Sequence, residues 1–158
     1  MDKNGNENYL MPRQDANEQS THLVPTTVAE VMTRDVKTLA PDQSVAELVR
    51  LLAAKKFHHV IVAKQGYLLG VISDHDVFRQ LSRVDDWPTK TVAEIMHTNT
   101  FTIRSERLLS SAAEEMVTRR VNCLPVLDGS GKIIGLLTST DIMRLYMDIQ
   151  KRFESEIN

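Results

Sequence analysis

Cysteine is nearly absent from this chain: Cys123 is the only one in 158 residues. No internal disulfide can form, and Cys123 precedes "LPV", an apolar strand-like context that suits a buried, inert thiol. Long hydrophobic runs are missing too. The longest reach five or six residues, far short of the roughly 20 that a membrane helix needs. The start, "MDKNGNENYLMPRQDANEQ", has neither the basic opening nor the apolar stretch of a signal peptide. The expected location is therefore cytoplasmic. No charge of one sign dominates, with 19 basic against 21 acidic residues. That balance gives no broad footprint for nucleic acid or anionic membrane. No GxxxxGK phosphate loop is present. None of the histidines His22, His58, His59, His75 and His97 pairs at zinc-ligand spacing with cysteine or acid support, so no metal is expected. Ser73, Asp74, His75 and Asp76 are crowded into one turn, too tight for a nucleophile-base-orienter triad. The chain does not read as an enzyme.

What is present is a copy of itself. "TVAEVM" (Thr27 to Met32) returns as "TVAEIM" 64 residues later (Thr91 to Met96). "GVISDHD" (Gly70 to Asp76) returns as "GLLTSTD" (Gly135 to Asp141) after 65 residues. The extra residue falls near Gly129 to Gly131. "SRVDDWPTK" joins the copies, and Pro88 marks the break. The boundaries read as a polar, flexible tail over 1–24, a first repeat over 25–82 and a linker over 83–90. A second repeat follows over 91–147, and a helical extension over 148–158.

Each copy predicts the order β-α-β-β-α, a mixed α/β class. "VKTLA", "FHHVIV" and "YLLGVIS" are strands. Ser44 and Glu47 make a capping box for a helix whose apolar face is Val45, Leu48, Val49 and Leu52. The second copy repeats that face with Leu109, Ala112, Ala113 and Met116, although Leu108 at the cap position cannot cap. "CLPVL" and "KIIGLLT" are its strands. Units of about 55 residues are marginal alone, so two are expected to pack their sheets together. Near the end, Ile142, Leu145, Tyr146, Ile149 and Phe153 fall on one helical stripe, with Arg144, Asp148 and Lys151 facing away. The last two turns suit a second subunit or a partner.

The repeated heptad admits two readings. In one, Ser73 and Thr138 cap helices, and Asp76 and Asp141 favour the positive helix end. In the other, the helix amino terminus and hydroxyl meet phosphate, the carboxylate accepts from ribose hydroxyls, and the glycine permits close backbone approach. The two are compatible.

With these elements in order, "TVAEVM…T…FHHVIV…GVISDHD" followed by "TVAEIM…T…VNCLPV…GLLTSTD" resembles a tandem pair of CBS (cystathionine-β-synthase) domains, over about Pro25 to Met147. The resemblance implies a disc-like module, packed sheet to sheet, that dimerises and binds adenosine derivatives between its repeats. AMP, ADP, ATP and S-adenosylmethionine are the ligands it implies, as regulatory signals rather than required cofactors. It places Ser73 and Thr138 near phosphate, and Asp76 and Asp141 on ribose. Phe57, His58 and His59, with Val121, Asn122 and Cys123, become the purine and phosphate lining.

Two departures matter. His59 and Cys123 stand where many phosphate-binding members carry a basic residue, and Asp74 beside Ser73 repels phosphate. Arg119 and Arg120 could supply positive charge from a helix end. The second signature is therefore expected to be the better nucleotide site, with AMP favoured over ATP in an energy or metabolite sensor. The regulated partner is unspecified. The alternative is a ligand-independent scaffold that uses the same fold for oligomerisation or partner binding.

Overall fold

The computed structural model describes residues 24–55, 58–82 and 86–157. The expected tail (apart from Val24), His22, Phe57 and linker residues 83–85 lie outside them. Each repeat forms a three-stranded sheet. In the first, β1 (Thr38–Leu39) runs parallel to β2 (His59–Lys64), and β2 pairs antiparallel with β3 (Tyr67–Ser73). The parallel pair needs a crossover, which α2 (Val45–Lys55) supplies. The second sheet repeats the plan with β4 (Ile103–Arg104), α5 (Leu109–Arg119), β5 (Cys123–Leu127) and β6 (Ile133–Thr138). Ile61, Val71 and Leu136 form a cluster between the sheets, joined by Ala63, Cys123 and Ile133. The two sheets therefore pack on one another.

β1 is shorter than its apolar run predicts, and β2 keeps the predicted length but starts two residues later. β2 begins at His59 because the chain before it serves a helix. The His58 carbonyl accepts the Asp74 N–H at 3.0 Å, at the start of α3 (Asp74–Leu81).

The main addition to the expected order lies ahead of each unit. "TVAEVM" folds as a one-turn helix, α1 (Val28–Val31), and "TVAEIM" as α4 (Val92–Ile95). Both are held by capping boxes that sequence reading passed over. The Glu30 carboxylate accepts from Thr27 N–H at 2.8 Å and its hydroxyl at 2.7 Å. Glu94 repeats this with Thr91 at 2.6 and 2.9 Å. Each helix then packs on the other repeat. Val28 and Met32 are buried with Ile103, Leu109, Leu124 and Leu137. Val92 and Ile95 are buried with Leu39, Val45, Val60 and Ile72. Burying one such side chain stabilises by about 1.5–3 kcal/mol, so the exchange binds the repeats together.

It also replaces the missing cap at Leu108, because Leu109 N–H donates to the Thr26 carbonyl at 2.8 Å. At α2 the Ser44 hydroxyl accepts from Glu47 N–H at 3.2 Å, which is half of the expected box.

The last helix, α6 (Ser139–Ile157), splits its predicted stripe. Ile142 and Leu145 pack on the second core. Tyr146 and Phe153 are 62% and 55% exposed, on a separate line with Met143 and Met147. The apolar face is wide enough that tertiary packing covers only one edge of it. Among the described residues no helix is long and apolar enough to cross a membrane.

Candidate functional site

Both heptads close the same reciprocal loop at the start of a helix. Asp76 Oδ2 accepts from Ser73 N–H at 2.9 Å and from its hydroxyl at 2.6 Å, while Asp76 N–H donates back to Ser73 Oγ at 3.2 Å. In the second repeat the distances are 2.8, 2.6 and 3.3 Å between Thr138 and Asp141. These are capping boxes with Asp in place of Glu. Each uses one carboxylate oxygen and leaves the other for something else.

That other oxygen distinguishes the sites. Oδ1 of Asp76 receives His97 Nε2 at 2.8 Å. Oδ1 of Asp141 meets no hydrogen-bond donor among the described residues. His97 and Thr33 occupy matching places, each crossing to the other repeat's sheet and bridging its edge strand through two main-chain hydrogen bonds. These run between His97 and Val71 at 3.0 Å, and between Thr33 and Leu136 at 2.9 Å. The crossing gives the signature glycines their role. A Cβ at Gly70 would lie 2.7 Å from the His97 carbonyl oxygen, and one at Gly135 would lie 2.5 Å from Met32 Sδ. The close backbone approach that the glycines permit is thus made by the exchanged segment.

Each signature opens into a cleft built by both repeats. The second, of about 390 Å³, is lined by Thr138, Asp141 and Arg144, and from the first repeat by Thr33, Lys37 and His58. The first, of about 360 Å³, is lined by Ser73 and Asp76, and by His97, Phe101, Arg120 and Val121. His59 and Asn122 line both clefts, with His59 Nε2 lying 3.0 Å from Asn122 Oδ1. This pair is the shared wall.

The electrostatics follow the packing. Burial lowers the pKa of His59, against the opposing bond from Asn122 and the charges of Asp74 and Asp76. Cys123 also lines the first cleft, and its thiol is pushed up to about 11, mainly by burial and then by Asp76. It stays protonated near neutral pH, as an inert thiol does. Asp74 is held below the usual carboxylate range, chiefly by its bond from His58 at 2.8 Å. For Asp76 burial alone would raise the pKa, but bonds from Ser73 and His97 outweigh it and lower it.

Of the residues singled out from sequence, Ser73, Asp76, Val121, Cys123 and Arg120 line the first cleft. Thr138, Asp141 and His58 line the second. Arg119 takes another role, stacking over Phe101 at 4.3 Å and pairing with Glu115. Arg120 ends α5 with φ of 55°, and that left-handed turn points the chain toward the cleft. Thr33, Lys37, His97 and Phe101 were not anticipated. Thr33 and His97 directly follow the two copies of "TVAE(V/I)M", so the repeat itself carried their signal. Among the described residues no group of three or more His, Cys, Asp or Glu could hold a metal ion.

Both repeats match the family model of the CBS domain, over residues 28–83 and 92–148. The chain belongs to the CBS-domain family, as a tandem pair. It is 31% identical over 121 residues to the homoserine O-acetyltransferase of Methanohalobium evestigatum, across 76% of this chain and 24% of that protein. With two further curated relatives, it spans 38% and 26% of their length. Its fold is similar to the CBS domain pair of protein MJ0100 in complex with 5′-methylthioadenosine and S-adenosyl-L-methionine. That likeness has a TM-score of 0.71 at 26% identity, covering 78% of this chain and 97% of that one. It is also similar to CBSX2 in complex with AMP, with a TM-score of 0.69 at 29% identity over 80% of this chain and 99% of that one.

Proposed function

We propose that this chain is a regulatory, non-catalytic module that binds an adenosine-containing ligand between its repeats, foremost in the second cleft. The observation that carries this reading is Asp141. One of its oxygens anchors the helix cap, and the other has no hydrogen-bond partner among the described residues in a cleft that Asp141 lines. A ribose diol can donate to that oxygen. Thr138 and the first N–H groups of α6 suit phosphate, and Val36 and Leu136 offer apolar surface to a purine. The adenosine ligands of MJ0100 and CBSX2 support the same class of ligand here.

AMP is the favoured member. Lys37 and Arg144 are the cations of the cleft, Asp35 and Asp141 offset them, and Lys37 already pairs with Asp35 at 3.1 Å. Each added phosphate needs donors that this set does not supply. A homodimer completes the reading. Phe78 on α3 and Met143, Tyr146 and Met147 on α6 expose apolar surface that a second copy would cover.

Thermal shift followed by calorimetry with AMP, ADP, ATP, S-adenosylmethionine and NAD tests the reading. A ligand at 100 times its Kd stabilises by about 2.7 kcal/mol. Tighter binding of metal-free ATP than of AMP removes the preference. The second reading, a ligand-independent scaffold, draws on the capping boxes being complete without any ligand. It gains if no adenosine compound shifts the melt.

A further inference from the structure

We infer that His97 is a built-in competitor for the first cleft: it occupies the carboxylate oxygen of Asp76 that a ligand hydroxyl would otherwise take. This inference rests on the adenosine-ligand reading and sharpens it to one residue. Three observations carry it.

The two clefts match in backbone. His97 and Thr33 sit at equivalent places, each fixed by a pair of main-chain hydrogen bonds to the facing strand. The capping boxes agree to within about 0.1 Å, so both leave the same carboxylate oxygen for an outside donor. The outside donor then differs. In the first cleft it is His97 Nε2 at 2.8 Å. In the second, the Thr33 hydroxyl makes no hydrogen bond to any described residue.

The His97 side chain is 63% exposed while that of Asp76 is 13% exposed. The imidazole is therefore a lid on the rim over a recessed carboxylate. It can swing away into solvent without disturbing the core, because its backbone bonds do not depend on it. A ligand entering the first cleft has to displace a hydrogen bond before making its own, whereas one entering the second does not. The cost is that of one exposed, charge-assisted bond, so the expected handicap is about five- to tenfold in affinity. His97 thus sets which cleft fills first.

The test uses AMP and four proteins: wild type, Asp141→Asn, His97→Thr and His97→Thr/Asp141→Asn. His97→Thr installs the residue found at the matching position of the other cleft. Calorimetry on wild type should be dominated by the second cleft, and Asp141→Asn should remove most of that signal. Adding His97→Thr to Asp141→Asn should then tighten the remaining binding about five- to tenfold. His97→Gln in the Asp141→Asn background, a fifth protein that keeps a donor of similar reach, should fall between. Circular dichroism melts of each variant check that folding is retained. If the double variant binds AMP no better than Asp141→Asn alone, the inference fails and the reading of the second cleft stands. If His97→Thr weakens AMP binding to the first cleft, His97 contacts the ligand and the inference is overturned. If AMP binds none of the four proteins, both readings fall.

Discussion

At the first signature stand Asp74, His58 and His97, and at the matching places of the second stand Ser139, Asn122 and Thr33. The backbone around the two sets is nearly the same. Asp74 N–H donates to the His58 carbonyl at 3.0 Å, and Ser139 N–H to that of Asn122 at 2.9 Å. The side chains diverge. In the first repeat both acids are paired with histidines, and in the second the single acid has a carboxylate oxygen to spare. Repeated main-chain geometry therefore builds the fold, and the departures between copies distinguish the sites. A duplicated chain can hold one architecture with two different chemistries because the caps use backbone N–H groups and one carboxylate oxygen, leaving the other oxygen open to change.

The signature glycines give the largest expected effect, and they test whether the copies are equally tight. Gly70→Ala drives a methyl against the main-chain oxygen of His97, which two hydrogen bonds hold in place. Gly135→Ala meets chiefly the Met32 thioether, a flexible tip that can turn aside, with the Thr33 oxygen at 3.1 Å. Chemical denaturation should show a loss of about 3 kcal/mol for Gly70→Ala and about 1 kcal/mol for Gly135→Ala. Equal losses would mean that the Met32 side chain is as fixed as the backbone.

Next in size are the acids. Asp141→Asn keeps the shape of the cap and removes the charge. Apo stability should fall by only about 0.3–1 kcal/mol, while AMP affinity should fall by about 1.5–3 kcal/mol, the worth of a charge-assisted hydrogen bond. Asp76→Asn should weaken AMP binding less. A lowered apo melting temperature with unchanged AMP affinity would leave the second heptad as a cap and nothing more.

Removing residues 147–158 should weaken a homodimer by about tenfold, the equivalent of about 1.4 kcal/mol, because Met147 and Phe153 are exposed and Ile149 is partly buried. Light scattering against concentration measures it. A monomer at every concentration of the intact chain would remove the assembly, and a dimer unmoved by truncation would remove only the role of the helix end.

How much of this was legible follows from what the sequence encodes locally. β3, β5, the two long apolar helices and both heptads are local patterns, and they stand where periodicity put them, within a residue or two at their ends. The exchange of α1 and α4 was not legible as such. One turn of helix is too short to announce itself by periodicity, and its burial depends on the other repeat, on residues 75 to 109 positions away for Val28 and 15 to 53 positions away for Val92. The His97 to Asp76 bond spans 21 residues and requires that exchange to form. Arg119 misled because a cation at a helix end can face either solvent or an aromatic ring, and only the position of Phe101 decides between them.

The smallest expected effect concerns acid, and it asks whether the extra charges of the first repeat matter to folding. Asp74 is held below the usual carboxylate value, foremost by His58, and Asp76 is lowered by Ser73 and His97 in spite of its burial. A carboxyl whose folded pKa is depressed binds its proton more readily when unfolded. Its contribution is present above the ordinary value of about 4 and is lost as pH falls through the folded value. Wild type should therefore lose stability between about pH 4 and pH 3 through both groups. Asp74→Ser, which copies Ser139 of the second repeat, should lose less over that range. The difference should stay under about 1 kcal/mol, because the pair lies at the surface and water screens it. Melting temperatures at pH 5, 4 and 3 for the two proteins measure it directly. Parallel acid slopes would show that the His58 to Asp74 pair adds nothing to folding, and the contrast between the repeats would then lie in ligand binding alone.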